Sequence, residues 1–115
     1  MGIYSRPTKE AAVATVMLMR WEGVTDDQYE QARERVGWDR DVPDGAKLHV
    51  AGFSDGGLNV TDVWESAEAF GAFNDQRLGP AVQEIGIEGE PDVRFFPMHA
   101  CFAPALGRAE TLRDL

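Results

Sequence analysis

The sequence predicts an α+β fold of the ferredoxin-like type, a four-stranded antiparallel sheet with two helices on one face. Three observations predict it: the element order β-α-β-β-α-β, two helical stripes that each begin at a capping residue, and apolar residues on both faces of the first and last strands. The chain has 115 residues, enough for one domain. We divide it into an N-terminal arm (1–10), the ferredoxin-like domain (11–102) and a C-terminal tail (103–115).

The first strand and the first helix follow the arm. Residues 11–21 are apolar at odd and even positions, which is typical of a strand buried on both faces, although a short buried helix fits the same pattern. Thr25 and Gln28 have the spacing of a capping box, so a helix is expected from Asp26 to Val36. Tyr29 lies on the inner stripe of this helix, and we interpret it as a core residue with its hydroxyl at the rim.

A hairpin forms the middle of the predicted sheet. Residues 37–45 have the composition of a loop, and the second strand runs from Ala46 to Phe53. Asp55-Gly56 is a strong two-residue turn, because both residues tolerate a positive φ. The third strand runs from Leu58 to Glu65.

The second helix is expected over residues 67–86. Ser66 is its N-cap and Gly86 its C-cap. Gly79-Pro80 interrupts the apolar stripe and predicts a break or a bend, because proline lacks a backbone donor and clashes with the preceding turn. The fourth strand is expected from Asp92 to about Phe102.

The strands at the two ends of the domain predict a homodimer. Two helices can cover only one face of the sheet, and the first strand is apolar on both faces. An apolar sheet face is not normally left in water, so the open face, the one without helices, is expected to pack on a second copy of the chain. The predicted assembly is a dimeric α/β barrel.

Composition excludes several classes of partner. Eleven Lys and Arg stand against twenty Asp and Glu, a formal net charge of −9 that disfavours binding to nucleic acid or to an anionic membrane. Cys101 is the single cysteine, which rules out an internal disulfide. No signal peptide and no spanning segment is recognisable, so a cytoplasmic protein is expected.

A segment at the end of the third strand resembles a known family. Val60-Thr61-Asp62-Val63-Trp64-Glu65-Ser66-Ala67-Glu68-Ala69-Phe70 resembles the dimeric α/β-barrel superfamily, and its antibiotic biosynthesis monooxygenase-like group in particular. The resemblance covers residues 11–102. It implies a cleft between the open sheet face and the helices or loops of the dimer. It also implies oxygenation, without a cofactor, of an easily deprotonated aromatic such as a phenol or quinol.

The resemblance carries over to individual residues in part. Trp64 matches the tryptophan that ends this strand in the family, and the oxygenases usually pair it with an asparagine on the same strand face. Val60 and Asp62 occupy that face here. Relatives that degrade haem place a histidine on the second helix, and residues 67–86 contain none. We therefore expect no cofactor.

Hairpin geometry supplies a candidate site independently of the family. With Asp55-Gly56 as the turn, His49 lies directly opposite Asp62, on the face that also carries Phe53, Val60 and Trp64. The opposite face is expected to be the helix-facing core. It carries Leu48, Val50, Thr61 and Val63. The candidate site is therefore expected on the open face.

The candidate residues have distinct expected roles. A histidine beside an aspartate can act as a general base, so His49 and Asp62 are the candidate catalytic pair. Trp64 could stack on a flat ligand, with Phe53 and Val60 beside it as substrate-binding residues. Alternatively, the pair is a polar contact that seals a rim, with Trp64 packed in the dimer interface. A three-residue turn would reverse the faces and remove the pair.

His99 and Cys101 are two residues apart on the predicted fourth strand. Two such residues are too few for a zinc site, so no metal is expected. The function that we expect is binding, and oxidation without cofactor, of a small aromatic or polyketide-like molecule by a small soluble homodimer. The alternative is a non-catalytic ligand-binding or dimerisation module, in which side chains such as Phe53, Phe95 and Phe96 fill the cleft.

Overall fold

The computed structural model describes residues 13–106 and 108–112. The expected arm, residues 1–10, lies outside this range. The elements of the domain are β1 (Thr15–Glu22), α1 (Asp26–Val36), β2 (Ala46–Ser54), β3 (Gly57–Trp64), α2 (Ala67–Phe73), a π-helical turn (Asn74–Leu78), α3 (Gly79–Ile85) and β4 (Asp92–Pro97). Beyond it lie β5 (Cys101–Ala103), a 3-10 turn (Pro104–Leu106) and β6 (Arg108–Leu112). No helix in the described part of the chain is long and apolar enough to cross a membrane.

The main sheet has four antiparallel strands in the order β2-β3-β1-β4. The ferredoxin-like α+β fold is therefore confirmed. The expected fourth strand was too long, because β4 ends at Pro97 and Cys101 begins β5, which pairs with β6 in a separate hairpin. Pro97 lies opposite Thr15, and the last hydrogen bond of this ladder runs from the backbone N–H of Met98 to the carbonyl of Ala14 at 2.8 Å.

The ends of α1 are those that the sequence predicts. Thr25 Oγ1 accepts a hydrogen bond from the backbone N–H of Gln28 at 3.1 Å, and Gln28 Oε1 accepts one from the backbone N–H of Thr25 at 3.1 Å. Gly37, with φ of 70°, closes the helix. The capping box and the helix bounds are both confirmed.

The second helix is interrupted just before Gly79-Pro80, where the sequence predicts it, and α3 begins at Gly79 with the proline in its first turn. The backbone stays right-handed helical through the π-helical turn, where the N–H of Gly79 bonds to the carbonyl of Asn74, five residues back. This wider turn displaces the carbonyls that the ring of Pro80 would otherwise meet. The structure thus accommodates the proline by widening one turn.

The two faces of the sheet carry separate apolar clusters. On one face, β1 and β3 pack against α1, α2 and α3 in the main core, which contains Met17, Met19, Trp21, Leu58, Val60, Trp64, Phe70 and Phe73. The other face carries a smaller cluster of Ala14, Val16, Leu48, Val63 and Met98. The expectation that Leu48 and Val63 face the helices is therefore wrong. They lie on the open face.

Candidate active site

The cavity lies between the sheet and the helices of a single chain, not on the open face as the sequence analysis expected. It has a volume of about 250 Å³ and apolar walls from β1, β3, α1, α2 and α3. All three tryptophans, Trp21, Trp38 and Trp64, line it. Met17 and Met19 also line the cavity, and their side chains do not fill it.

The hairpin turn has the predicted two residues. Asp55 and Gly56 have positive φ values of 51° and 76°, as a type I′ turn requires, and the flanking residues Ser54 and Gly57 pair with each other. This register places His49 opposite Asp62. A bulge between Ala46 and Leu48 lies beyond the pair and does not alter it.

The parity of the hairpin is as predicted, but the face is wrong. His49, Asp62 and Trp64 lie on the helix side of the sheet, with the main core, and not on the open face. Because the cavity is also on the helix side, all three residues line it. The error follows from hairpin geometry itself, which groups residues by face without specifying the face that the helices cover.

A chain of hydrogen bonds runs through the site. His49 Nδ1 is 2.7 Å from Asp62 Oδ1, and Tyr29 Oη is 2.8 Å from His49 Nε2. An ionised carboxylate can only accept, so Nδ1 of a neutral imidazole carries the hydrogen and donates it to Asp62. Nε2 then accepts the hydroxyl hydrogen of Tyr29.

Asp62 is the buried end of this chain. Its exposed fraction is 5%, and its second oxygen, Oδ2, accepts a hydrogen bond from Trp64 Nε1 at 2.9 Å. A buried carboxylate is costly unless donors satisfy it, and here each oxygen has one. His49 is the exposed partner, with 35% of its side chain accessible.

Trp64 is more enclosed than a stacking platform would be. It is 4% exposed, and its ring packs against Phe70 and Phe73 with centroid distances of 5.4 and 5.5 Å. Its indole N–H is committed to Asp62. Trp64 therefore forms one wall of the cavity and orients the carboxylate.

The other two expected substrate-binding residues differ in position. Val60 lines the cavity beside Asp62. Phe53 does not line it. Its ring packs edge-on against Tyr29 at 6.2 Å, on the outer side of the site.

Sequence reasoning did not assign Tyr29 and Trp38 to the site. Both rings pack around the imidazole of His49, with centroid distances of 6.1 Å for Tyr29 and 5.4 Å for Trp38. The signal for Tyr29 was its place on the inner stripe of α1, which puts its hydroxyl over the sheet. Trp38 follows the end of α1 in a loop, where the sequence gives no periodicity to orient it.

The environment of Tyr29 keeps its hydroxyl protonated. Burial raises the pKa of Tyr29 above its usual value of 10, and the negative charges of Glu30 and Asp62 raise it further. At neutral pH the phenol is therefore a hydrogen-bond donor to His49.

The described residues contain no cluster of three or more side chains that could hold a metal ion. His99 lies in the connection after β4, and Cys101 begins β5, so the expectation that they share one strand is wrong.

Comparison with solved structures identifies the fold. SnoaB, a cofactor-independent oxygenase from Streptomyces nogalater, matches with a TM-score of 0.54 and 14% identity, over 72% of this chain and 90% of that one. A monooxygenase from Streptomyces coelicolor, solved with nanaomycin D, matches with a TM-score of 0.52 and 20% identity, over 84% and 96%. A dimeric ferredoxin-like protein of unknown function from Thermobifida fusca has a TM-score of 0.53 and 16% identity, over 75% and 92%.

No family model matches the chain, and the search of curated proteins found no match. The structural similarities are at low sequence identity and concern the fold. They confirm, at that level, the resemblance drawn from the segment around Trp64. The chain has a ferredoxin-like α+β fold, which it shares with a cofactor-independent oxygenase, a monooxygenase and a dimeric ferredoxin-like protein.

Proposed function

We propose that the chain binds a small, flat aromatic or polyketide-like molecule in the helix-side cavity and oxidises it with molecular oxygen, without a cofactor. The observation that carries the proposal is the chain from Tyr29 through His49 to Asp62 at the edge of an apolar cavity. The cavity favours a hydrophobic ring system, and the imidazole supplies a base for an acidic hydroxyl.

In the proposed reaction the protein supplies mainly a base and an apolar cavity. Ionising a phenol makes its ring electron-rich enough to react with oxygen directly. For a phenol with a free para position, one oxygen atom enters the ring as a quinone carbonyl and the other leaves as water. The substrate supplies all four electrons, so the proposed reaction requires no redox cofactor.

The pairing of His49 with Asp62 suits this role. In the proposed reaction, the imidazole that takes the ligand's proton faces the buried carboxylate of Asp62, with Nδ1 2.7 Å from Oδ1. Trp64 holds that carboxylate in place through its indole N–H.

Binding can be measured with the chain's own fluorescence, because every tryptophan lines the cavity. A panel of hydroxylated naphthalenes and anthrones is titrated into the protein. We expect saturable quenching for those that fit a cavity of about 250 Å³. Absence of quenching across the panel would contradict the proposed ligand class.

Turnover is tested with His49→Gln, which removes the base and keeps a polar side chain. Oxygen uptake is followed with dithranol, a hydroxylated anthrone, in the presence of a chelator. We expect the enzyme-dependent rate to fall at least about a hundredfold, the usual contribution of a general base. His99→Gln is the matched control, since His99 is the other histidine and is not among the residues that line the cavity, and it should keep the full rate.

The alternative is a ligand-binding module without turnover. It is favoured by the hydroxyl of Tyr29, which is hydrogen-bonded to the basic nitrogen of His49. Quenching by the panel with no oxygen uptake above the buffer rate would support this alternative and contradict the oxygenase.

We also propose that the working form is a homodimer joined through the open face. Leu18, Val50 and Phe96 are exposed on this face, with exposed fractions of 37%, 54% and 43%. The similar fold of a dimeric ferredoxin-like protein supports the homodimer.

A further inference from the structure

We propose that Tyr29, rather than His49, is the residue that touches the ligand, and that it relays the ligand's proton to His49. This inference rests on the proposed function, because it concerns the same cavity and the same base. It assigns a role to Tyr29, which the sequence predicts only as a core residue on the inner stripe of α1.

The first argument is that the basic nitrogen is occupied. His49 has two ring nitrogens, and Nδ1 is committed to Asp62 at 2.7 Å. Nε2, the only nitrogen left to accept a proton, is 2.8 Å from the hydroxyl of Tyr29. A ligand that reached Nε2 directly would first have to displace that hydroxyl.

The second argument is that Tyr29 is held in this position by its neighbours. Its ring lies parallel to the imidazole, with 3° between the planes. Trp38 packs against it edge-on at 5.6 Å and Phe53 at 6.2 Å, so two aromatic rings restrict its movement. Displacing the hydroxyl therefore costs packing as well as a hydrogen bond.

The third argument is the unused capacity of the hydroxyl oxygen. A phenol donates one hydrogen bond and can also accept. Tyr29 donates to His49 and lines the cavity, so its oxygen is available to accept a hydrogen bond from a ligand hydroxyl. The charged and titratable groups that act on Tyr29 are Glu30, Arg33, Asp39 and Asp62.

The proton transfer balances without any other reactant. The O–H bond of the ligand breaks as its proton moves to the oxygen of Tyr29, while the hydrogen of Tyr29 moves to Nε2 of His49. The products are a ligand oxyanion, a neutral tyrosine and an imidazolium facing Asp62. No electrons are transferred in this step. The new O–H of Tyr29 then donates to the oxyanion that it has produced.

The test uses 4-nitro-1-naphthol, whose neutral and ionised forms absorb at different wavelengths. Bound to the wild-type protein, the probe should be more ionised than in buffer at the same pH. Tyr29→Phe removes only the hydroxyl. We expect the ratio of ionised to neutral bound probe to fall about tenfold, the effect of losing one hydrogen bond to a charged group, with the dissociation constant of the neutral form little changed.

Direct proton transfer to His49 gives the opposite result. Removing the hydroxyl would free Nε2, so the ionised fraction in Tyr29→Phe would stay the same or rise, and the relay would be overturned. His49→Gln should lose the ionised form under either scheme. If the probe does not bind the wild-type protein at all, that result contradicts the proposed function itself and not only the relay.

A measurement on the wild-type complex does not depend on any variant. Nuclear Overhauser contacts should place the ring hydrogen next to the probe's hydroxyl close to the Hε hydrogens of Tyr29. If that hydrogen instead contacts Hε1 of His49, the ligand displaces Tyr29. That result would overturn the relay.

Discussion

Asp62 organises the site because both of its oxygens accept a hydrogen bond from a neighbouring ring. Oδ1 accepts from His49 and Oδ2 from Trp64, and the residue is 5% exposed. Trp64 can only donate, so its partner must be an oxygen. The carboxylate thereby selects the Nδ1–H form of His49 and leaves Nε2 as the basic nitrogen.

Asp62→Asn should reverse this selection. The asparagine oxygen must face Trp64, which leaves its NH₂ group to donate to Nδ1, so the hydrogen of His49 moves to Nε2. ¹⁵N chemical shifts of the imidazole report the tautomer. We also expect a loss of about 1–3 kcal/mol in the free energy of unfolding, because a hydrogen bond to a buried charge is lost.

Asp44→Asn is the matched control for that variant. Asp44 is an exposed carboxylate in the loop before β2, so the same exchange should change stability by less than about 0.5 kcal/mol. If His49 keeps the Nδ1–H tautomer in Asp62→Asn, the carboxylate does not determine which ring nitrogen carries the hydrogen.

At the residue scale, strand pairing was predictable and contacts across the layers were not. The register of β2 and β3 follows from a two-residue turn that Asp55-Gly56 specifies, so His49 and Asp62 could be paired from the sequence. The contact of Tyr29 with His49 joins a helix to the sheet, and its geometry depends on how α1 crosses the strands. Local patterns do not encode that crossing.

At the scale of elements, local chemistry fixes most of the boundaries. Thr25 starts α1, Ser66 starts α2, and Gly86, with φ of 85°, ends α3. These signals act within a few residues, which is why the sequence predicts them well. The π-helical turn was not predicted, because widening one turn and breaking the helix are two responses to the same proline.

Gly79 is required by the π-helical turn, whereas Gly71, in the same helical stretch, is not. A Cβ added at Gly79 would lie 2.9 Å from the carbonyl oxygen of Asn74, a backbone atom that cannot move aside easily. A Cβ at Gly71 would meet nothing within 4 Å. Alanine favours helix over glycine at both positions, so the two substitutions separate helix propensity from the close approach.

We expect Gly71→Ala to stabilise the protein by about 0.5–1 kcal/mol in urea unfolding. Gly79→Ala should destabilise it by about 1–3 kcal/mol, the usual cost of forcing an extra group into a packed site. Equal stabilisation by both substitutions would show that the π-helical turn tolerates a side chain at position 79.

At the scale of the whole molecule, the sequence predicted the layers but not which face the helices cover. β1 is apolar on both faces, so its pattern alone does not distinguish them. The distinction lies in the neighbouring strands. On the open face, Arg20, Asn59, Thr61 and Arg94 accompany the apolar residues, while Met17, Met19 and Leu58 face the helices. The more polar face is the one without helices.

That mixed face leads to the expectation of a dimer. A patch that includes Leu18, Val50 and Phe96 buries apolar area on contact with its own copy, and its polar residues suit the rim of an interface. Sedimentation at micromolar concentration should give twice the chain mass of 12.7 kDa. The interface should bury roughly 1,600 Å² in total, the size of a standard stable contact.

Phe96→Glu tests which face forms the dimer. A carboxylate from each copy would be desolvated in the contact without a partner, so the dissociation constant should rise at least about a hundredfold and the monomer should predominate. Phe53→Glu is the matched control, because Phe53 is 46% exposed against 43% for Phe96 and lies on the opposite side of the sheet. A dimer that survives Phe96→Glu and dissociates with Phe53→Glu would place the contact on the helix side, where it would cover the site around His49.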